Sequence, residues 1–437
     1  MDTDVIVIGA GLAGLQCARR LQREGHSVIV LEADDAVGGR VRTDLVDGFR
    51  CDRGFQVLNP AYSAVQDWID VDSLRLQRFG VGAVIRDGEN TTTLANPLRH
   101  PQHTLSTLTS RHAPLAELLA LARWIGPTLL KSGAAGDDAG AAEQAARDDT
   151  LAASFEAAGL TGPLRRNVLD TFLAGVLADS TGESSANYVR MLVRYFALGT
   201  PGLPEKGMQA LPEQMASWLS DPVRLETPAR GIRETRSGVE ITTDHGSLRA
   251  RAAVVAVGPQ HLSEVTGELT RDLTGDILGT PHPETHGLTT WWFRAPESPQ
   301  NSPFLMLDAS RPGGGPAGPI WNTAVVSEAA PSYAPAGQHL IQATTLLDRP
   351  DGMASEAEVR RDLERLYQTS TADWELLIHH VVPHTLPAQH PPMKDRRPQQ
   401  LSDRVLVAGD HRDNGSIQGA LVSGDRAART LTDLLPA

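Results

Sequence analysis

The 437-residue chain reads as an α/β protein built on a parallel nucleotide-binding sheet, with a second α+β domain inserted in two segments. Three observations predict this. A glycine-rich turn follows a β-branched run at the N terminus. A second buried run lies close to the C terminus. Two long stretches between them lack the nucleotide-fold pattern.

Asp4 to Ile8 (DVIVI) contains no breaker and reads as a buried parallel strand. Gly9, Gly11 and Gly14 follow as G-x-G-x-x-G, and Leu15 to Arg23 continues as a helix. In such a turn Gly9 permits the reversal, Gly11 admits a pyrophosphate close to the backbone, and Gly14 lets the helix sit against the strand. The helix N-terminus then offers N–H groups and a positive dipole end to the phosphates. Ser27 to Leu31 reads as the next strand, ending at Glu32, eighteen residues after Gly14, where a carboxylate can accept from ribose hydroxyls. That acid would repel the 2′-phosphate of NADP. Glycine pairs at this spacing arise by chance in a chain with 40 glycines. The order strand, glycines, helix, strand, acid carries the reading.

Length favours two domains, and 41% hydrophobic with 21% charged residues suits a large apolar core. A net charge of −13 argues against nucleic acid and against purely electrostatic attachment to anionic lipid. Two cysteines, Cys17 and Cys51, are too few for a disulfide framework. Two aspartates precede the first apolar run, so it does not read as a signal peptide, and no eighteen-residue apolar stretch exists. The expected location is the cytoplasm.

Three blocks carry nucleotide-fold sequence: 1–75, 205–285 and 396–437. The second contains a helix bearing Met215 and Trp218 and strands at Val223 to Leu225, Gly238 to Thr243 and Ala253 to Val257. Asp244-His245-Gly246 forms a hairpin turn between the last two. The third contains the strand Arg404 to Ala408 and a helix from Gly419 to Leu435. Segments 76–204 and 286–395 would form the second domain, the first of them mostly helical. Pro114 to Leu130 is apolar nearly all round, as in a helix that is buried, lines a tunnel or touches a membrane. Ser132 to Arg147 is small, polar and low in complexity and reads as an exposed loop.

Beyond Glu32 the chain continues through Ala33, Asp34 and Asp35 to Gly38-Gly39-Arg40. Near the C terminus, Val405 to Asp410 (VLVAGD) is followed by Gly415 to Ala420 (GSIQGA), and Arg224 to Pro259 lies between. With these motifs the chain resembles the FAD-containing superfamily of flavin amine oxidases, protoporphyrinogen oxidases and phytoene-type desaturases. Asp52 to Gln56 and Gly409 to Asp413 resemble its bacterial amine-oxidase-domain branch. The resemblance implies a Rossmann-like FAD-binding domain and a second α+β substrate-binding domain inserted in two segments. It implies pyrophosphate contacts from Gly11, Leu12, Ala13 and Gly14 after the turn at Gly9, and ribose binding at Glu32 and Ala33. Gly38, Gly39 and Arg40 would meet the diphosphate and ribityl chain. Gly54 and Phe55 would pass beside the isoalloxazine, and Ala229 would pair with adenine. Gly409 and Asp410 would hold the ribityl chain, and Ile417 would offer its N–H near the flavin N1–C2=O. Asp34 stands where many members carry arginine. With no cysteine near Ser416, the FAD is expected to be non-covalent.

The implied chemistry is removal of two electrons from a largely apolar organic substrate, with oxygen or a quinone as acceptor. Oxidation of an amine C–N bond and desaturation of a carotenoid-like or tetrapyrrole C–C bond both remain open, and so does a structural or sensory FAD. Ser416 replaces the aromatic that amine oxidases place before the flavin, and Trp291-Trp292-Phe293 holds no lysine. Gln56, Trp321 and His384 are candidate substrate contacts, with Tyr333 a further aromatic wall. Lys206 reads as an exposed loop residue. His379, His380, His384 and His390 cluster in sequence without metal-ligand spacing, so no metal is expected. The expected partners are a small apolar or amine substrate and no nucleic acid, with peripheral membrane contact left open by the 114–130 helix.

Overall fold

The computed structural model describes residues 1–130, 148–267 and 284–435, so the low-complexity segment 132–147 lies outside them. Its first sheet has a parallel centre. Thr3–Ile8 lies between Val28–Leu31 and the second half of Gly246–Val255, and Val405–Val407 pairs with that second half. Val5 and Val7 enter one core cluster with Leu15, Leu21, Leu421 and Leu431, while Ile6 and Ile8 enter another with Ile241 and Val255. Both faces are therefore buried, which is why the run shows no polar alternation.

The helix over Leu12–Arg23 starts three residues earlier than its pattern suggests, because a glycine in a first turn reads as loop. The expected hairpin is present: Gly238–Thr243 and Gly246–Val255 pair antiparallel, and Ala229–Thr235 adds a third strand. Val223 to Leu225 is not a regular strand. Arg224 makes one bridge to Leu31, with Arg224 N donating to Val30 O and Glu32 N donating to Arg224 O. Pro222 and Pro228 bracket this piece and keep it short. The C-terminal helix, Ile417–Leu434, packs on the first helix so closely that a Cβ on Gly424 would stand 2.1 Å from Ala13 O.

The second sheet has seven strands in the order Glu375–Pro387, Thr285–Ala295, His339–Leu346, Ile320–Val325, Leu305–Asp308, Gly82–Asp87 and Asn90–Ala95. The last two lie in segment 76–204, which is otherwise mostly helical as expected among the described residues. They form a hairpin that joins the sheet through parallel pairing of Leu305 with Ala83. The helix Glu356–Tyr367 covers one face through Val359, Leu363 and Leu366. The other face meets the Asp170–Leu177 helix and the ribbon Thr43–Val46/Phe49–Asp52 of the nucleotide fold. Among the described residues, no helix is long and apolar enough to cross a membrane.

Candidate functional site

The glycine turn is built around space that no side chain could share. Gly9 has φ +103°, and a Cβ there would meet Ala256 O at 2.7 Å. A Cβ on Gly14 would stand 2.0 Å from Gly9 O. Gly11 differs: a Cβ there meets nothing within 4 Å. Its backbone bridges to Gly38, and Gly39 faces it with a Cβ position 3.5 Å from Gly11 Cα. These glycines leave a backbone-lined cradle at the start of a twelve-residue helix that has no side-chain cap and no acid in its first turn. Leu12, Ala13 and Gly14 form that first turn. Uncapped N–H groups at a helix start, beside open space, fit a diphosphate.

Glu32 is buried at the far side of the cradle. Its Oε2 accepts from Ala10 N (2.7 Å) and its Oε1 from Asp34 N (3.0 Å), which fixes the carboxylate while leaving lone pairs for hydroxyls. Ala33 beside it is exposed. Thr227 N donates to Glu32 O and Glu226 N to Asp34 O, bringing the segment that leads into Ala229 alongside.

At the other end Arg40 ties three distant segments together. Its Nη2 donates to Asp410 Oδ1 and its Nη1 to Thr385 O, both at 2.7 Å. Burial alone would raise the Asp410 carboxyl, but the Arg40 guanidinium and the hydrogen bond from His411 hold it far below the usual carboxylate range. Gly409 N donates to Ser423 Oγ. Ser416 Oγ caps the C-terminal helix by accepting from Gly419 N, and Ile417 is its first residue.

Gly54, Phe55 and Gln56 line the next stretch. Phe55 meets Phe79 edge-on at 5.7 Å. Gln56 Nε2 donates to Arg40 O (2.7 Å) and Arg53 O (2.9 Å), while its buried Oε1 has no partner among the described residues. Just upstream, Asp52 accepts from Thr43 Oγ1, Met208 N and Tyr333 Oη. Burial nevertheless pushes its carboxyl up to about 6. The native state thus holds this proton where an unfolded chain has released it. The resulting stabilisation is complete below the ordinary carboxylate range and is lost as pH rises through about 6. Asp52→Asn is expected to remove roughly 2–3 kcal/mol of that pH dependence, read as a flatter plot of urea unfolding free energy against pH. A variant with the parental slope would refute the assignment.

The candidate substrate contacts do not all converge. Gln56 lies beside Arg40. His384 Nδ1 bonds to Thr285 Oγ1 (2.7 Å), one residue from the Thr385 carbonyl that Arg40 uses. Trp321 sits apart, half-buried on Ala174, Ala178, Leu288 and Leu346. Tyr333 is wholly buried and committed to Asp52, and Lys206 is exposed in a turn. The four histidines take separate partners. His379 stacks on Trp291 at 3.6 Å, His380 Nε2 bonds to Asp44, and His390 to Glu284. Among the described residues no group could hold a metal. Cys17 and Cys51 are buried thiols, each pushed up chiefly by burial, which suits packing and not redox chemistry.

Sequence reasoning missed a polar patch on the face of the second sheet that turns toward the ribbon. Register places Asn322 beside Thr344 and Thr344 beside Thr290, with Gln342 beside Trp292 in the adjoining row. All five are buried. Asn322 Oδ1, Gln342 Oε1, Thr290 Oγ1 and Trp292 Nε1 have no hydrogen-bond partner among the described residues. On the same face, His380 reaches Asp44, which Arg53 clamps with two hydrogen bonds of 2.9 Å.

Comparison with known proteins agrees with this geometry. The profile of the family described as flavin containing amine oxidoreductase matches residues 12–432. Putrescine oxidase from Kocuria rosea is 31% identical over 301 residues, which is 61% of this chain and 59% of that protein. The chain thus matches about three fifths of the length of that curated relative. In structure, an oxidoreductase from Methanosarcina mazei superposes with a TM-score of 0.71 at 16% identity, over 98% of this chain and 100% of the other. A fatty acid isomerase from P. acnes gives 0.70 at 16% identity, over 98% of each chain, so the fold alone does not fix the chemistry. The match across nearly the whole sequence, on a chain with this cradle, shows that the protein belongs to the flavin-containing amine oxidoreductase family and that its cofactor is FAD.

Proposed function

We propose that this chain is an oxidoreductase that takes two electrons from a small amine at its C–N bond. The observation that carries the reading is the patch of unpartnered polar atoms on the second sheet. A buried polar atom without a partner costs on the order of 1–3 kcal/mol, so four together mark a surface made to meet something polar. Oδ1 of Asn322, Oε1 of Gln342 and Oγ1 of Thr290 can each accept a hydrogen bond. Such a row suits the N–H groups of an amine and offers nothing to a polyene. Leu288 and Leu346, with Trp321 packed against them, give an apolar wall for the carbon chain. The substrate is therefore more polar than composition and motif suggest, and desaturation loses ground.

Bound FAD supplies the two-electron acceptor. The chain's own groups orient and exclude water. Backbone N–H groups of Gly11 to Gly14 would take the diphosphate, Glu32 would take ribose hydroxyls, and the Arg40–Asp410 pair would hold the ribityl end. Ile417, at the start of the C-terminal helix, would offer its N–H and the positive dipole end to negative charge on the reduced flavin. Residues 1–75, 205–285 and 396–437 hold the cofactor in this reading, and 76–204 with 286–395 hold the substrate. Non-covalent attachment is supported by the burial of both cysteines and by Ser416 in the helix cap. Molecular oxygen is the acceptor we favour, and two free cysteines suit the reducing cytoplasm.

Anaerobic mixing of the flavin-loaded protein with primary amines, and separately with polyenes and porphyrinogens, tests this. Bleaching of the flavin band by an amine, reversed by air, is the expected result. Bleaching by a polyene or porphyrinogen with every amine inert would overturn it.

A further inference from the structure

We propose that residues 98–129 form a docking surface for an anionic lipid bilayer. Among the described residues thirteen large apolar side chains are exposed, and six of them fall in this stretch. Leu98 is 94% exposed, Leu105 74%, Leu108 64%, Leu115 70% and Leu119 50%. Their spacing is ordered. Leu105 and Leu108 share one face of the short helix Thr104–Leu108. Leu115, Leu119 and Leu129 share one face of Leu115–Leu130, whose opposite face buries Ala120 and Trp124. Helical leucines that face water while their neighbours fill a core are the pattern of an interfacial helix.

Charge selects the occupant. The chain carries −13, yet positions 98–129 hold Arg99, Arg111 and Arg123 against the single acid Glu117. Glu117 is buried and spent on the backbone, accepting from Gly162 N (2.6 Å) and Leu164 N (2.9 Å). All three arginines are exposed; Asp87 pairs with Arg111, which leaves Arg99 and Arg123 as the charges no acid offsets among the described residues. A local basic patch governs attraction within a Debye length of about 10 Å, so the distant acidic surface does not cancel it. A second copy of this chain fits less well, because a two-fold contact would set like arginines against each other.

Co-sedimentation of the flavin-loaded protein with phosphatidylcholine vesicles, with and without phosphatidylglycerol, tests the proposal. Binding is expected to the anionic vesicles and to weaken with salt. The triple variant Leu105→Gln/Leu115→Gln/Leu119→Gln should lower the partition constant by about a hundredfold while keeping the parental melting temperature and flavin spectrum. Arg123→Glu should weaken binding to anionic vesicles alone. Failure of the parent to pellet with either vesicle, or equal pelleting by the triple variant, would overturn it. So would a dimer in solution that the triple variant converts to monomer, since that assigns the leucines to a second copy.

Discussion

Gly14→Ala is expected to yield a chain that melts well below the parent and takes up no flavin. The two relevant effects have opposite signs, and their sizes decide the outcome. Alanine is favoured over glycine inside a helix by about 1 kcal/mol, so propensity alone predicts stabilisation. Against that, the new methyl would stand 2.0 Å from the Gly9 carbonyl oxygen, a backbone atom that no rotamer change can move. Relief requires the first helix to lift off its strand. Overpacking of this kind costs about 3 kcal/mol or more once it must displace backbone. The lifted helix also opens the cradle, so FAD affinity should fall by at least about a hundredfold. Gly11→Ala is the matched control. Its Cβ meets nothing, and its φ of −71° suits any residue, so stability should stay parental while the methyl intrudes where the diphosphate would lie. Calorimetry with flavin titration separates the pair. A Gly14→Ala protein as stable and as yellow as the parent would end this account of the turn.

Asp410→Ala should be the next most damaging change. It strips the counter-ion from Arg40, leaving that guanidinium only the Thr385 carbonyl. Removing one partner of a fully buried pair costs about 3–5 kcal/mol. The Arg40 side chain is one-third exposed, so about 2–3 kcal/mol is the fitting expectation here. Asp410→Asn keeps an acceptor oxygen and should recover part of the loss, which isolates the contribution of charge. The native carboxyl titrates well below the ordinary range. Its contribution is therefore present above that range and is lost only as strong acid reaches the depressed value. Unfolding free energies at neutral pH and flavin dissociation rates for the three proteins provide the check; an Asp410→Ala protein as stable as the parent would refute it.

The nucleotide half was legible because its information is local. The turn at Gly9, the acid at Glu32 and the hairpin at Asp244-His245-Gly246 each fit within a few residues. The second sheet was less so, although Gly88-Glu89, the two-residue turn between 82–87 and 90–95, is a hairpin signal inside an otherwise helical segment. The polar patch had no sequence signature at all. Thr290, Asn322 and Gln342 lie on three strands far apart in sequence, and only cross-strand register makes them neighbours. Periodicity reveals which face a residue takes, not which strand will lie beside it.

The nucleotide sheet draws its strands from both ends of the chain. Val405–Val407 completes it, and the helix that follows braces the very first helix. The flavin cradle can therefore close only once Leu12–Arg23 and Ile417–Leu434, about four hundred residues apart in sequence, have met. Loop closure over that span has to be met before the contact rewards it, so docking of the C-terminal helix is expected late in folding, and flavin capture with it.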